Sequence, residues 1–154
     1  SNPARVKRQL IGIARPAYVP IYADAMARLG TGRSLIVSGD EGLDELSLAG
    51  GNEVAEVVGN EFEMHRLDAS VAGLPKAPIE AIRGGDADHN ARALRALLMG
   101  SPGPYRDAVL FNASAALCVG GRETDSPTRV AEAAEAIDTG AALALLDKWI
   151  EIAK

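Results

Sequence analysis

The sequence predicts an α/β fold in which a mixed parallel and antiparallel sheet of about four strands carries helices packed mainly on one side. Three observations support this fold class: a strand–helix–strand order at the beginning of the chain, a hairpin pattern in the middle and helical periodicity over the second half. At 154 residues the chain is long enough for one domain with a real core. We therefore expect a single α/β domain over residues 1–154.

The beginning of the chain predicts a βαβ unit. Residues 9–14 are apolar and bounded by charge and by Pro16, which is the pattern of a buried strand. Pro16 opens a helix that ends at Gly30. The apolar positions of this helix are Val19, Ile21, Tyr22, Met26 and Leu29. Residues 34–38 predict a second strand, and the helical crossover between the two strands favours a parallel pair.

Two stretches of alternating charged and apolar residues follow, at residues 53–58 and 61–67. They flank the dipeptide Gly59-Asn60, so they predict an antiparallel hairpin with one face exposed to water. Asp68 comes directly after this hairpin, where it can cap a short helical turn.

From Ile79 onward the pattern is helical. Four helices are expected, over residues 87–99, 105–119, 128–137 and 141–153. Asp86 is the predicted N-cap of the first, and Ser126 followed by Pro127 predicts the start of the third. Residues 105–119 are apolar around much of the helix circumference, so that helix is expected to be central and largely buried.

Composition excludes several classes of protein. The net charge of -5 and the pI near 5.0 argue against nucleic-acid binding, and no run is apolar for long enough to cross a membrane. The single cysteine, Cys118, lies in an apolar run and is predicted to be a buried structural thiol, which suits a reducing cytoplasm. The chain opens on Ser1 without an initiator methionine, which favours a fragment of something longer.

The loop after the second predicted strand carries four carboxylates, at Asp40, Glu41, Asp44 and Glu45. Ligands of α/β proteins usually bind in loops at the carboxyl ends of strands. Magnesium prefers oxygen ligands and is typically held by one or two carboxylates together with substrate phosphates. The adjacent pair Asp44-Glu45 is therefore the predicted metal site, and the alternative is a loop of solvated carboxylates.

Other chemical signals are weaker. Gly84-Gly85-Asp86 could cradle a phosphate at a helix start, but it lacks a Walker lysine, so a flexible loop with an Asp cap is the simpler interpretation. His65 and His89 have no partner at metal-ligand spacing and are expected at the surface. Ser38 and Ser47 lack a nearby histidine base, so nucleophilic catalysis has no support.

Several motifs carry a resemblance to a known family. They are Asn2-Pro3-Ala4 with Arg8-Gln9-Leu10-Ile11-Gly12, Gly42-Leu43-Asp44-Glu45-Leu46-Ser47, Arg83-Gly84-Gly85-Asp86 with Asn90, Gly103-Pro104-Tyr105-Arg106-Asp107 with Asn112-Ala113, and Ala136-Ile137-Asp138-Thr139-Gly140-Ala141-Ala142. In this order they resemble the C-terminal half of anthranilate phosphoribosyltransferase, a two-domain enzyme roughly twice as long. The departure is Leu48-Ala49, where the family often has proline or threonine before the glycine.

The resemblance implies a fold like the large α/β domain of nucleoside phosphorylases and phosphoribosyltransferases. It implies transfer of the 5-phosphoribosyl group from phosphoribosyl diphosphate to the amine of anthranilate in tryptophan biosynthesis, with Mg²⁺ held by Asp44 and Glu45. The resemblance also implies a cytoplasmic enzyme that is a homodimer when complete. The donor and anthranilate pockets would lie upstream of Ser1, so we expect this chain alone to be inactive and assign it no substrate-binding residue. The alternatives are a pyrimidine nucleoside phosphorylase-like enzyme and a non-catalytic binding homologue of the same fold.

Overall fold

The computed structural model describes residues 6–153, which contain one mixed four-stranded sheet. Its strands are β1 (Arg8–Gly12), β2 (Arg33–Gly39), β3 (Asn52–Val58) and β4 (Glu61–Leu67), in the spatial order β1-β2-β3-β4. β1 and β2 are parallel, and the pairs β2–β3 and β3–β4 are antiparallel. The predicted parallel pair and hairpin are both confirmed.

Five α-helices lie within the described residues. They are α1 (Val19–Arg28), α2 (Ala87–Leu98), α3 (Pro104–Gly120), α4 (Ser126–Asp138) and α5 (Ala141–Ile152). Short 3-10 turns occupy Pro16–Tyr18, Ala69–Ala72 and Ile79–Ile82. The four helices predicted after residue 86 are all present, with ends displaced by one or two residues. Over residues 6–153, no helix combines the length and the apolar character that a membrane crossing requires.

Helix α1 covers one face of the sheet and does so with small side chains. Its buried residues are Val19, Ala23 and Ala27, which pack in a cluster with Ile36 of β2 and the inward residues of β3. The larger Ile21 and Leu29 are exposed instead, at 61% and 73%. Apolar spacing therefore identified this helix, but alanines form most of the contact with the sheet because they let the helix approach it closely.

Helix α3 covers the opposite face of the sheet. Phe111, Ala115 and Val119 of α3 share a core cluster with Leu35 and Val37 of β2. The buried residues Leu97 of α2, Leu110 of α3 and Ile137 of α4 form a second cluster behind α3. Four of the five described α-helices thus lie on the α3 side, as predicted, and α3 is the central buried helix.

Aspartate side chains cap three of the helical segments. The amide of Ser70 donates to Asp68 at 3.0 Å, and the amide of His89 donates to Asp86 at 2.7 Å, as predicted. The predicted cap of α4 was wrong. Asp125, one residue before Ser126, accepts from the amide of Thr128 at 2.8 Å, so Ser126 is the first residue of the helix instead of its cap.

We expect Lys76→Met to raise the pKa of Asp68. The Lys76 ammonium lies 2.7 Å from the Asp68 carboxylate, and this contact, helped by the Ser70 amide, lowers that pKa to about 2. Because the folded-state pKa lies below its ordinary value of 3.8, the stabilising effect is complete above about pH 4 and is lost as the pH falls toward 2. An NMR titration of the Asp68 carboxyl measures the change, with Lys148→Met on α5 as control. An unchanged titration midpoint in Lys76→Met would contradict the assignment.

Candidate metal site

The carboxylate loop, residues 40–51, joins β2 to β3 and is closed at its base by the sheet. Gly39 and Asn52 are register partners, and the amide of Asp40 donates to the carbonyl of Gly51 at 3.0 Å. Inside the loop, Gly42 adopts a φ of 86°, a left-handed conformation that glycine accepts without strain. Because β1 and β2 are parallel, this loop lies at the carboxyl ends of both strands.

Two leucines hold the second half of the loop against the core. Leu46 and Leu48 are exposed by only 2% and 3%, and both belong to the cluster formed with Phe111 of α3. Burial of two leucine side chains fixes the backbone directly after Asp44 and Glu45. The loop is therefore an ordered part of the fold.

Two asparagines bind the loop backbone with paired hydrogen bonds. Asn112 of α3 accepts from the Leu46 amide at 2.9 Å and donates to the Leu46 carbonyl at 2.9 Å. The fully buried Asn52 accepts from the Ser47 amide at 2.6 Å and donates to the Ser47 carbonyl at 3.1 Å. Both backbone polar groups of two successive residues are satisfied in this way.

Just N-terminal to the residues that the two asparagines bind, the loop backbone passes over the end of β1. A Cβ atom built on Gly12 would lie 1.5 Å from the carbonyl oxygen of Asp44. Only a residue without a side chain permits this approach, which places the Asp44-Glu45 peptide against the carboxyl end of β1.

The four carboxylates of the loop have different partners. Arg66 of β4 binds Asp40 through both terminal nitrogens, at 2.8 and 2.6 Å, and its guanidinium lowers the pKa of the Asp40 carboxyl. Arg66 also reaches Glu53 at 3.1 Å. Glu41 accepts a hydrogen bond from the Ser47 hydroxyl. Asp40 and Glu41 therefore already have partners within the protein, and their contacts stabilise the loop.

Asp44 and Glu45 have exposed side chains. Within residues 6–153 neither carboxylate makes a hydrogen bond or an ion pair with another side chain, so each can bind a ligand from outside. Across the same residues, no group of three or more His, Cys, Asp or Glu is placed to hold a metal ion. The donor set suits a cation such as Mg²⁺, which completes its coordination with water and phosphate oxygens.

The remaining predicted candidates have structural roles or lie at the surface. The Asn90 side chain binds both backbone groups of Gly85, at 2.9 and 3.1 Å, and Asp86 caps α2, which agrees with an Asp-capped loop. His89 is exposed, whereas His65 is half-buried near the end of β4. Cys118 is half-buried instead of buried, and its sulfur accepts a hydrogen bond from Arg33, the first residue of β2, at 3.4 Å.

Sequence reasoning assigned no role to the residues that support the loop. Arg66 and Asn112 lie 26 and 66 residues from their partners in the loop, so no local pattern connects them to it, whereas Asn52 lies only 5 residues from Ser47. A signal was present for Asn112, since it is a polar residue of low helix propensity in the middle of an otherwise apolar helix.

Comparison with curated proteins finds high identity over the whole chain. Anthranilate phosphoribosyltransferase of Erythrobacter litoralis is 69% identical over 153 residues, which are 99% of this chain and 46% of that protein. The protein of the same name from Novosphingobium aromaticivorans is 66% identical over 150 residues, 97% of this chain and 46% of that protein. The chain thus spans about half the length of the curated relatives it matches, and it corresponds to their C-terminal part.

Solved structures share the fold. Anthranilate phosphoribosyltransferase from Thermus thermophilus superposes with a TM-score of 0.86 at 36% identity, over 97% of this chain and 44% of that one. The Saccharomyces cerevisiae enzyme, solved in complex with PRPP and Mg, superposes with a TM-score of 0.84 at 26% identity, over 94% of this chain and 42% of that one. These neighbours confirm the predicted α/β architecture.

A protein-family model also matches most of the chain. The family described as glycosyl transferase family, a/b domain, matches residues 1–143, from before β1 into α5. That range includes the whole sheet and the carboxylate loop. This protein chain therefore belongs to the glycosyl transferase family, in its a/b domain.

Proposed function

We propose that the chain is the C-terminal α/β domain of an anthranilate phosphoribosyltransferase. Such an enzyme transfers the 5-phosphoribosyl group of phosphoribosyl diphosphate to the amine of anthranilate and releases diphosphate, a step of tryptophan biosynthesis in the cytoplasm. The observation that carries the proposal is the 69% identity to a relative of that name over 153 residues. The activity belongs to the longer protein, and residues 1–154 contribute one α/β domain to it.

Within this domain, Asp44 and Glu45 are the proposed Mg²⁺ ligands. Support comes from their exposed carboxylates, from their position at the carboxyl ends of two parallel strands, and from the backbone contacts on either side of them. A neighbour that carries PRPP and Mg shares this fold. When bound, Mg²⁺ neutralises diphosphate charge and acts as a Lewis acid on the leaving group.

The chain's own residues prepare that site electrostatically. Arg66 neutralises Asp40 and Ser47 donates to Glu41, so two of the four loop carboxylates are already engaged. The negative charge available to a cation is then concentrated on Asp44 and Glu45. Ser38 is fully buried and the Ser47 hydroxyl is hydrogen-bonded, so neither serine is presented as a nucleophile. This suits direct attack of the anthranilate amine on the ribose carbon.

Isothermal titration of this chain, fused to the preceding part of the Erythrobacter litoralis relative, with phosphoribosyl diphosphate, with and without Mg²⁺, tests the proposal. We expect heat that requires both components, because the phosphates complete a coordination sphere that the two carboxylates only begin. Thymidine and uridine are the control ligands, and neither is expected to give heat. Magnesium alone is expected to bind weakly.

The alternatives predict different heats. A pyrimidine nucleoside phosphorylase-like protein would respond to thymidine or uridine, which would overturn the proposed substrate class. A non-catalytic homologue without a donor site would give no heat with phosphoribosyl diphosphate at any Mg²⁺ concentration.

A further inference from the structure

We propose that Asn112 is a positioning residue for the metal site, holding the backbone from which Asp44 and Glu45 project. This inference rests on the proposed function and adds to it a residue of a different element, far away in the sequence. Asn112 is on α3, 66 residues from the Leu46 peptide that it binds.

The Asn112 side chain makes three hydrogen bonds, and two of them go to the loop. Its carboxamide oxygen accepts from the Leu46 amide at 2.9 Å, and its nitrogen donates to the Leu46 carbonyl at 2.9 Å. The same nitrogen donates to the carbonyl of Ala108, one turn earlier in α3, at 3.0 Å. The contact with Ala108 fixes the orientation of the carboxamide, so the Asn112 side chain holds the loop in a defined position relative to the backbone of α3.

The Leu46 contact lies directly after the two carboxylates, and a second constraint lies directly before Glu45. The Asp44 carbonyl is packed against the end of β1, where Gly12 leaves it room. Asp44 and Glu45 are thus held between β1 on one side and α3 on the other. With both ends fixed, the backbone positions from which the two side chains extend are set before a cation arrives, which lowers the entropy lost on binding.

The helix itself gives no reason for an asparagine at this position. Asparagine is a poorer helix former than alanine or leucine, and its neighbours in α3 are mostly apolar. Asn52 is less suited to the role because it is fully buried and also donates to Leu67 at 3.3 Å, so it joins the hairpin as well as the loop. Asn112 is only half-buried, so its removal should leave the core in place.

The experiment compares the unmodified 154-residue chain with Asn112→Ala and Asn112→Leu. Alanine removes both contacts to the loop, and leucine removes them while keeping a side chain of four heavy atoms branched at Cγ, so the pair also covers the case in which one variant folds poorly. Mn²⁺ affinity is measured by electron paramagnetic resonance, with Mn²⁺ as the probe in place of Mg²⁺. Amide hydrogen exchange at Leu46 is measured on the same samples.

We expect about a tenfold loss of Mn²⁺ affinity in both variants, since removing groups that orient metal ligands typically costs about 10- to 100-fold. The Leu46 amide should exchange about tenfold faster or more, because its acceptor is gone. The matched control is Asn90→Ala. Asn90 makes the same paired contact to Gly85 at the start of α2, so its loss removes equivalent hydrogen bonds without touching the carboxylate loop.

The outcomes separate this proposal from the metal assignment. If Asp44→Asn weakens Mn²⁺ binding and neither Asn112 variant does, the positioning role is overturned and the metal site stands. If Asn90→Ala weakens binding as much as Asn112→Ala, the effect is general destabilisation and the positioning role is again overturned. If Mn²⁺ does not bind the unmodified chain, the metal assignment fails, and the exchange rate at Leu46 still decides whether Asn112 orders the loop.

Discussion

Gly12→Ala is expected to destabilise the fold by about 3 kcal/mol or more. The new Cβ would lie 1.5 Å from the carbonyl oxygen of Asp44 and 2.6 Å from its carbonyl carbon, far inside any permitted contact. The obstructing atoms are backbone, so a rotamer change cannot relieve the overlap. The loop would have to move away from β1, and Asn112 and Asn52 hold it where it is.

Urea unfolding followed by circular dichroism measures the loss, as a lower midpoint at unchanged slope. Gly120→Ala is the matched control, since no atom lies within 4 Å of a Cβ built there and the residue ends α3. Alanine in a helix should be neutral or stabilising by up to about 1 kcal/mol. Equal midpoints for the two variants would show that the loop does not pass over β1 as described.

The sheet and the helices were predictable because each has a period in the sequence. The hairpin turn at Gly59-Asn60 is flanked by two stretches that mix charged and apolar residues, and β3 and β4 lie within one residue of the predicted limits. Where the prediction failed, two neighbouring residues competed for one role. Asp125 displaced Ser126 as the cap of α4 because both side chains can accept a backbone hydrogen bond, and the cap lies one residue earlier than predicted.

The candidate site was predictable in composition and not in geometry. A run of four carboxylates after a strand is visible in the sequence, but which of them are engaged depends on Arg66, which pairs with Glu53 across the hairpin and reaches Asp40 at the end of β2. The Asn112 contact depends on how α3 packs on the sheet. Contacts of this kind are made by tertiary packing, so no residue spacing reports them.

The packing of α1 shows that some core residues, too, could not be predicted from residue spacing. Helical spacing picks out large apolar residues, but of these only Val19 is fully buried, and Ala23 and Ala27 complete the face that packs against Ile36. Alanine is apolar but contributes little to a hydrophobic pattern, so a face built from it is easily overlooked. The close approach that it permits sets the position of α1 on the sheet, and that geometry is a property of the packed state.

The other large effect is expected from Asp44→Asn combined with Glu45→Gln. In a fusion of this chain to the preceding part of the Erythrobacter litoralis relative, the double variant should lose about 100-fold or more of Mg²⁺-dependent turnover. Both charged oxygen ligands are gone, and the neutral amides bind a hard cation poorly. The free energy of unfolding should change by less than about 0.5 kcal/mol, because both side chains are exposed.

Initial rates over a range of Mg²⁺ concentrations, together with urea unfolding of the same samples, test both parts of this expectation. The double variant Glu61→Gln with Glu63→Gln on β4 is the control, since it removes the same negative charge from an exposed part of the sheet. Any loss shared by the two variants is a long-range effect of charge on a negatively charged substrate. If the Asp44 and Glu45 variant kept the Mg²⁺ dependence of the unmodified fusion, the cation would have to be held by other groups, and the metal assignment would be wrong.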